Sequence, residues 1–234
     1  MGLQKKIIVA LDTTDVDKAL NLTKLIPDVG AFKLGLEYFC ANGPSGIKVI
    51  AQTGVNIFLD LKFHDIPNTV IGAIQASLNM QPYMMTVHLS GGFNMLKKSM
   101  DSIKSSYVKS SLKRPLILGV SVLTSIDNTD FDSLGLSGKV EDQVLRLGQL
   151  AISAGLDGLV CSAKELKILR REFGSNLVLV TPGIRLKDGE INDQKRIVTP
   201  NQALTDGANY LVIGRPITAS KDPKQALTNI IKEM

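Results

Sequence analysis

Eight short apolar runs recur along the chain at intervals of roughly 20–35 residues, each followed by an amphipathic stretch. They are KIIVALD (6–12), AFKLGLE (31–37), NIFLDLK (56–62), MMTVHLS (84–90), PLILGVSVL (115–123), DGLVCS (157–162), NLVLVTPG (176–183) and NYLVIG (209–214). Their length and β-branched content predict strands. Between them, apolar residues fall three and four apart, the spacing of one helix face. Val70, Ile71, Ile74 and Leu78 form such a stripe after Pro67. So do Val140, Val144, Leu147, Leu150 and Ile152, and then Leu166, Ile168, Leu169 and Phe173. Eight strand–helix alternations in 234 residues favour one domain over 1–234, a (β/α)8 TIM barrel, rather than an open doubly wound sheet. No GxGxxG follows the first run, which argues against a dinucleotide-binding fold.

Two connections are long. IRLKDGEINDQKRIVTP (184–200), after the seventh run, is polar and contains glycine, as expected of an active-site lid or a disordered segment. The stretch from Asp127 to Lys139 is a second long loop with fewer distinctive residues.

Alternation within the strands brings in the chemistry. Side chains two apart share a face of a strand. In the third run Leu59, Leu61 and Phe63 share one side, and Phe58, Asp60 and Lys62 the other. If the apolar side meets the helices, Asp60 and Lys62 point into the barrel mouth, separated by a rise of roughly 6.5 Å. The same parity turns Lys33 inward from the second run and Asp12 inward from the first. Each has a plainer alternative: Asp12 could cap the helix starting near Thr14, Asp65 could serve the helix after Pro67, and Lys33 could face solvent. Taken together they suit a site better, because buried charges need partners and these supply one another. Charges converging at the carboxyl ends of barrel strands mark where such folds place their chemistry.

An anion site is expected at the other side of the mouth. Barrels commonly hold phosphate with the loops after the last two strands. Here those loops carry Gly214, which lets backbone approach an anion, and Arg215, with its forked donors. Arg185 opens the long connection and Gln194 lies within it. Either arginine could instead be an ordinary surface residue.

Composition narrows the classes. A net charge of +5 suits small anionic substrates, but there is no run of five or six basic residues and aromatics are only 5%, so nucleic-acid binding is not expected. Cys40 and Cys161 are too few for a disulfide framework or a thiolate metal cluster, and fit a reducing cytoplasm. Asp12 ends the first apolar run before a signal-peptide core is complete, and no run reaches the roughly 20 apolar residues of a membrane span. A cytoplasmic protein without membrane contact is expected.

The segment Asp60-Leu61-Lys62-Phe63-His64-Asp65-Ile66 has the form D-x-K-x-x-D-I. With VALD (9–12), KLG (33–35), VLTS (122–125), TPGIR (181–185) and IGRPI (213–217), the chain resembles the orotidine 5′-phosphate decarboxylase family along essentially its whole length. That resemblance implies loss of CO2 from orotidine 5′-monophosphate to give UMP, the last step of pyrimidine nucleotide synthesis, with no cofactor and no metal. It implies Lys62 as proton donor and Asp60 beside the departing carboxylate. Lys33 and Asp12 would hold the ribose and complete the charge network. Thr124 would contact the pyrimidine, though parity leaves its direction open. Pro182, Arg185, Gln194, Gly214 and Arg215 would line the lid and phosphate end. Asp65, Ile66 and Thr69 would reach into the neighbouring subunit's site, making a homodimer. His88, also of inward parity, is given no chemical role and is expected to be a satisfied core residue.

Two other classes keep the D-x-K-x-x-D pattern or the anion site. Relatives of the wider suprafamily, 3-keto-gulonate 6-phosphate decarboxylase and hexulose-phosphate synthase, use magnesium. They carry a glutamate ligand where this chain has Lys33, and the cation argues for the orotidine branch. A non-catalytic phosphate-binding barrel is the alternative outside enzymes.

Overall fold

A computed structural model describes residues 2–107, 114–184 and 198–234. Eight parallel strands close into a barrel in sequence order: β1 (Ile7–Ala10), β2 (Ala31–Gly35), β3 (Ile57–Phe63), β4 (Met84–His88), β5 (Leu116–Val120), β6 (Gly158–Val160), β7 (Val178–Thr181) and β8 (Tyr210–Ile213). Closure comes from β1 against β8, with Ile7 opposite Leu211 and Val9 opposite Ile213. Closure leaves no sheet edge unpaired. The helices that follow are α1 (Val16–Leu25), α2 (Leu36–Ala51), α3 (Pro67–Leu78), α4 (Gly92–Tyr107), α5 (Asn128–Ser133), α6 (Val140–Ala154), α7 (Leu166–Phe173), α8 (Pro200–Thr205), α9 (Arg215–Thr218) and α10 (Pro223–Lys232).

The alternation predicted for the strands divides the core in two. Ile7, Val9, Phe32, Leu34, Ile57 and Leu59 belong to the layer between sheet and helices. Ile8, Ala10, Ala31, Phe58, Met84, Leu118, Val180 and Val212 fill the barrel interior. The hydroxyls of Tyr83 and Tyr210 meet at 3.0 Å beside this interior cluster. Above the interior apolar residues the same parity runs out into polar ones.

The expected runs overshoot the strands. Leu36 and Glu37 start α2 rather than ending β2, and Leu89–Gly91 form a tight 3₁₀ turn after β4. The second long loop contains α5, anchored by Phe131 at 1% exposure. Ile152 of the α6 stripe is exposed, while Gly148 and Ala151 are buried in its place. A Cβ on Gly148 would come within 2.5 Å of the Phe173 ring, so close helix packing, not hydrophobicity, sets that face. No helix among the described residues is long and apolar enough to cross a membrane.

Candidate active site

Four charges from three strands meet at the carboxyl ends of β1–β3. The Lys33 ammonium donates to Asp12 Oδ1 at 3.0 Å and lies 3.9 Å from Asp60 Oδ2. The Lys62 ammonium donates to the same Asp60 oxygen at 2.8 Å. Charge therefore alternates Asp12, Lys33, Asp60, Lys62 along one wall. The Asp60 side chain is 10% exposed, whereas Asp12 at 59% and Lys62 at 31% are reachable, so the row is buried in its middle and open at both ends. Such mutual pairing is what permits four charges in a half-buried space.

Local sequence explains why each is free for this row. Asp12 does not cap α1; Asp15 does, its carboxylate accepting from the Lys18 N–H at 3.0 Å. Gly35 leaves room for the ammonium of Lys33, since a Cβ there would stand 3.1 Å from Nζ. Lys62 is one of two non-glycine residues with positive φ among those described, at +50°. Pairing of β3 with β4 is regular at Leu59–Met85 and resumes at Phe63–Val87. Asp60, Leu61 and Lys62 thus lie opposite Thr86 alone, a bulge that re-aims the lysine.

Two adjoining cavities complete the mouth. One, of about 170 Å³, is lined by Lys33, Asp60, Lys62 and Thr124, with Phe58, Val120, Cys161 and Pro182 as apolar wall. The other, of about 250 Å³, is lined by Asp12, Lys33, Pro182, Gly183, Gly214 and Arg215. Lys33, Pro182 and Val212 border both. Among the described residues Arg215 has no carboxylate partner, which leaves its guanidinium available to an anion. Together the two cavities make a slot with the charged row on one flank and Arg215 at its far end. Burial, and then Glu165, hold the Cys161 thiol well above its ordinary range, so it is a protonated wall rather than a nucleophile.

The structure thus brings together Asp12, Lys33, Asp60, Lys62, Thr124, Pro182, Gly214 and Arg215. Asp65, Ile66 and Thr69 stand apart: all three are exposed, on the connection to α3 and its first turn. The Asp65 carboxylate accepts from the Ile66 N–H at 2.6 Å, and α3 has no side-chain cap. Arg185 and Gln194 lie outside the described residues, as does most of the 184–200 connection; its ends, Ile184 and Val198, pair as an isolated parallel bridge.

His88 is not the core residue expected. It is half-buried, stacked on His64 with ring centroids 5.1 Å apart, and hydrogen-bonded through Nδ1 to the Ser90 hydroxyl at 2.6 Å. Burial, then His64 and Lys62, push its pKa below the ordinary 6.5. A histidine whose folded pKa is lowered contributes stability above 6.5 and loses it as pH falls through the folded value. The denaturation midpoint is expected to drop between pH 7.5 and 5.5, and to drop less in His88→Asn. Equal drops in the two proteins would refute this assignment.

Thr86, Gly35 and Cys161 also stand at the site, although the sequence motifs do not mark them. Thr86 shares inward parity with Met84 and His88, a signal that alternation already offered.

The family model described as the orotidine 5′-phosphate decarboxylase / HUMPS family matches residues 5–230. A Rhodospirillum rubrum protein named orotidine 5′-phosphate decarboxylase is 46% identical over 233 residues, spanning 99% of this chain and 94% of its own. A Sphingopyxis alaskensis protein of the same name is 49% identical over 225 residues, 96% of each. The crystal structure of orotidine 5′-phosphate decarboxylase from Lactobacillus acidophilus aligns at TM-score 0.81 with 36% identity and 97% of each chain covered.

Proposed function

The chain belongs to the orotidine 5′-phosphate decarboxylase / HUMPS family, and from that premise we propose that it is a carboxy-lyase with Lys62 as its proton donor. It converts orotidine 5′-monophosphate to UMP and CO2 in pyrimidine biosynthesis. The observation that carries the residue roles is the alternating row of Asp12, Lys33, Asp60 and Lys62 on one flank of the slot.

The chemistry follows from where the electrons go. Breaking the bond to the carboxylate leaves a pair in an sp² orbital of the pyrimidine carbon, orthogonal to the ring π system. Ring conjugation cannot absorb it, so charge placed beforehand must. The Lys62 ammonium, held at the mouth by Asp60, faces the developing carbanion and stabilises it. It then delivers a proton to that carbon and leaves as a neutral amine, to be reprotonated from solvent. Asp60 stands beside the departing carboxylate, and Lys33 and Asp12 hold the ribose between the two cavities. Thr124 contacts the base, while Pro182, Gly214 and Arg215 line the phosphate end.

A magnesium-dependent sugar-phosphate reaction is the nearest rival, and the donor set argues against it. One Asp60 oxygen already faces two ammonium ions, at 2.8 and 3.9 Å, and the other a hydroxyl. A divalent cation would need to displace Lys62 or the Thr86 hydroxyl to bind the Asp60 carboxylate.

Asp65, Ile66 and Thr69 are assigned to the neighbouring subunit's site in a homodimer. What supports this is their exposure, above all that of Ile66, at 67% the most exposed large apolar residue among those described. A cytoplasmic location goes with the reaction. The deciding assay follows the loss of orotidine 5′-monophosphate absorbance with purified protein and chelator. Turnover that survives EDTA is expected; turnover only with added magnesium would favour the rival.

A further inference from the structure

We infer that Thr86 is a positioning residue that sets the aim of Lys62, an inference that rests on the decarboxylase reading. Thr86 sits on β4 opposite the bulge in β3 and is fully buried. Its hydroxyl does two things at once. It accepts the Lys62 backbone N–H at 2.9 Å and donates its own proton to Asp60 Oδ1 at 2.9 Å. In a regular parallel pair, backbone carbonyls would take such an N–H. The bulge interrupts that ladder, and a buried N–H left alone is costly, so the hydroxyl stands in for the missing carbonyl.

The two bonds act on the two ends of the same lysine. The first fixes the backbone of Lys62 in the left-handed region, at φ +50°, which an L-residue with a side chain adopts only against a steric cost. The second turns the Asp60 carboxylate so that its other oxygen, Oδ2, meets Lys62 Nζ at 2.8 Å. A single oxygen atom therefore ties the origin of the lysine side chain to the partner of its tip. Without it both anchors loosen together: the backbone can relax from positive φ, and the carboxylate can rotate away. The groups that would touch substrate are all still present, but their geometry is no longer set.

Thr86→Val keeps the branched shape and removes the hydroxyl. Expected is a fall in kcat on the order of 10²-fold, the usual consequence of a misplaced catalytic group, with UMP affinity changed by less than about threefold. Thr86→Ser restores the hydroxyl and is expected to recover kcat to within about tenfold of the parent despite the lost methyl. Thr86→Ala supplies the same contrast with serine should the valine variant not fold. The inference is overturned by parental kcat in Thr86→Val, by a serine variant as slow as valine, or by UMP affinity falling in parallel with kcat. If the parent chain itself fails to consume orotidine 5′-monophosphate, it is the decarboxylase reading that falls, and this inference with it.

Discussion

Lys62→Ala is expected to lower turnover of orotidine 5′-monophosphate by on the order of 10⁴-fold or more, because two effects vanish together. Proton delivery by a positioned acid accounts for roughly 10²–10⁴-fold. Stabilisation of charge by one preset donor accounts for about 10²–10³-fold. The two overlap, since one ammonium does both, so they are not multiplied in full. Binding of UMP should suffer far less. The phosphate end of the slot is lined by Asp12, Lys33, Gly214 and Arg215, not by Lys62. Single-turnover rates at saturating substrate, alongside UMP affinity, check the split. A barrel that merely binds nucleotides would lose modest affinity and have no turnover to lose. An alanine variant with more than about 1% of parental turnover would remove Lys62 from the chemistry.

Asp60→Asn carries the second large effect, on rate and on stability together. The substitution keeps size and shape but deletes the charge between two ammonium ions. Lys33 retains Asp12 at 3.0 Å, whereas Lys62 has no other carboxylate among the described ion pairs. The amide can still accept one hydrogen bond, yet its NH2 must then face either an ammonium or the Thr86 hydroxyl. Turnover is expected to fall on the order of 10³-fold as the lysine swings toward solvent. The folded state should lose about 1.5–3 kcal/mol, the range for a hydrogen bond to a charged group. It should not reach the larger cost of breaking a fully buried pair, because the Lys62 side chain is 31% exposed. Urea midpoints and steady-state rates measured on one preparation decide it. Parental values in both would mean that the row of charges neither holds the mouth together nor serves the reaction.

The two effects differ in how early they could be foreseen. D-x-K-x-x-D-I marks Asp60 and Lys62 as soon as the third run is recognised as a strand, because period-2 alternation needs no tertiary information. Asp12 and Lys33 follow by the same rule from neighbouring runs, and all four meet. Alternation alone does not explain the last of them. It assumed a regular strand through Lys62, while β3 bulges there and the lysine is aimed by a positive φ and a hydroxyl from β4. The direction was legible; its cause was not. Thr86 escaped notice because a lone threonine in an apolar run looks like an ordinary β-former, and nothing in its own strand says what stands opposite. For His88 the related reason is that parity gives a side and not a depth. At the last residue of β4 the inward side is already the half-open mouth.

The chain order of apolar runs and their period determined the eight-stranded barrel and which charged residues turn inward, because both follow from local geometry repeated along one chain. Tertiary structure alone decided the partners: which oxygen of Asp60 meets which ammonium, and that Thr86 of β4 stands opposite the bulge in β3. Those are facts about register between strands distant in sequence. A residue's own neighbours along the chain fix which way it points, but only closure of the sheet fixes what it finds there.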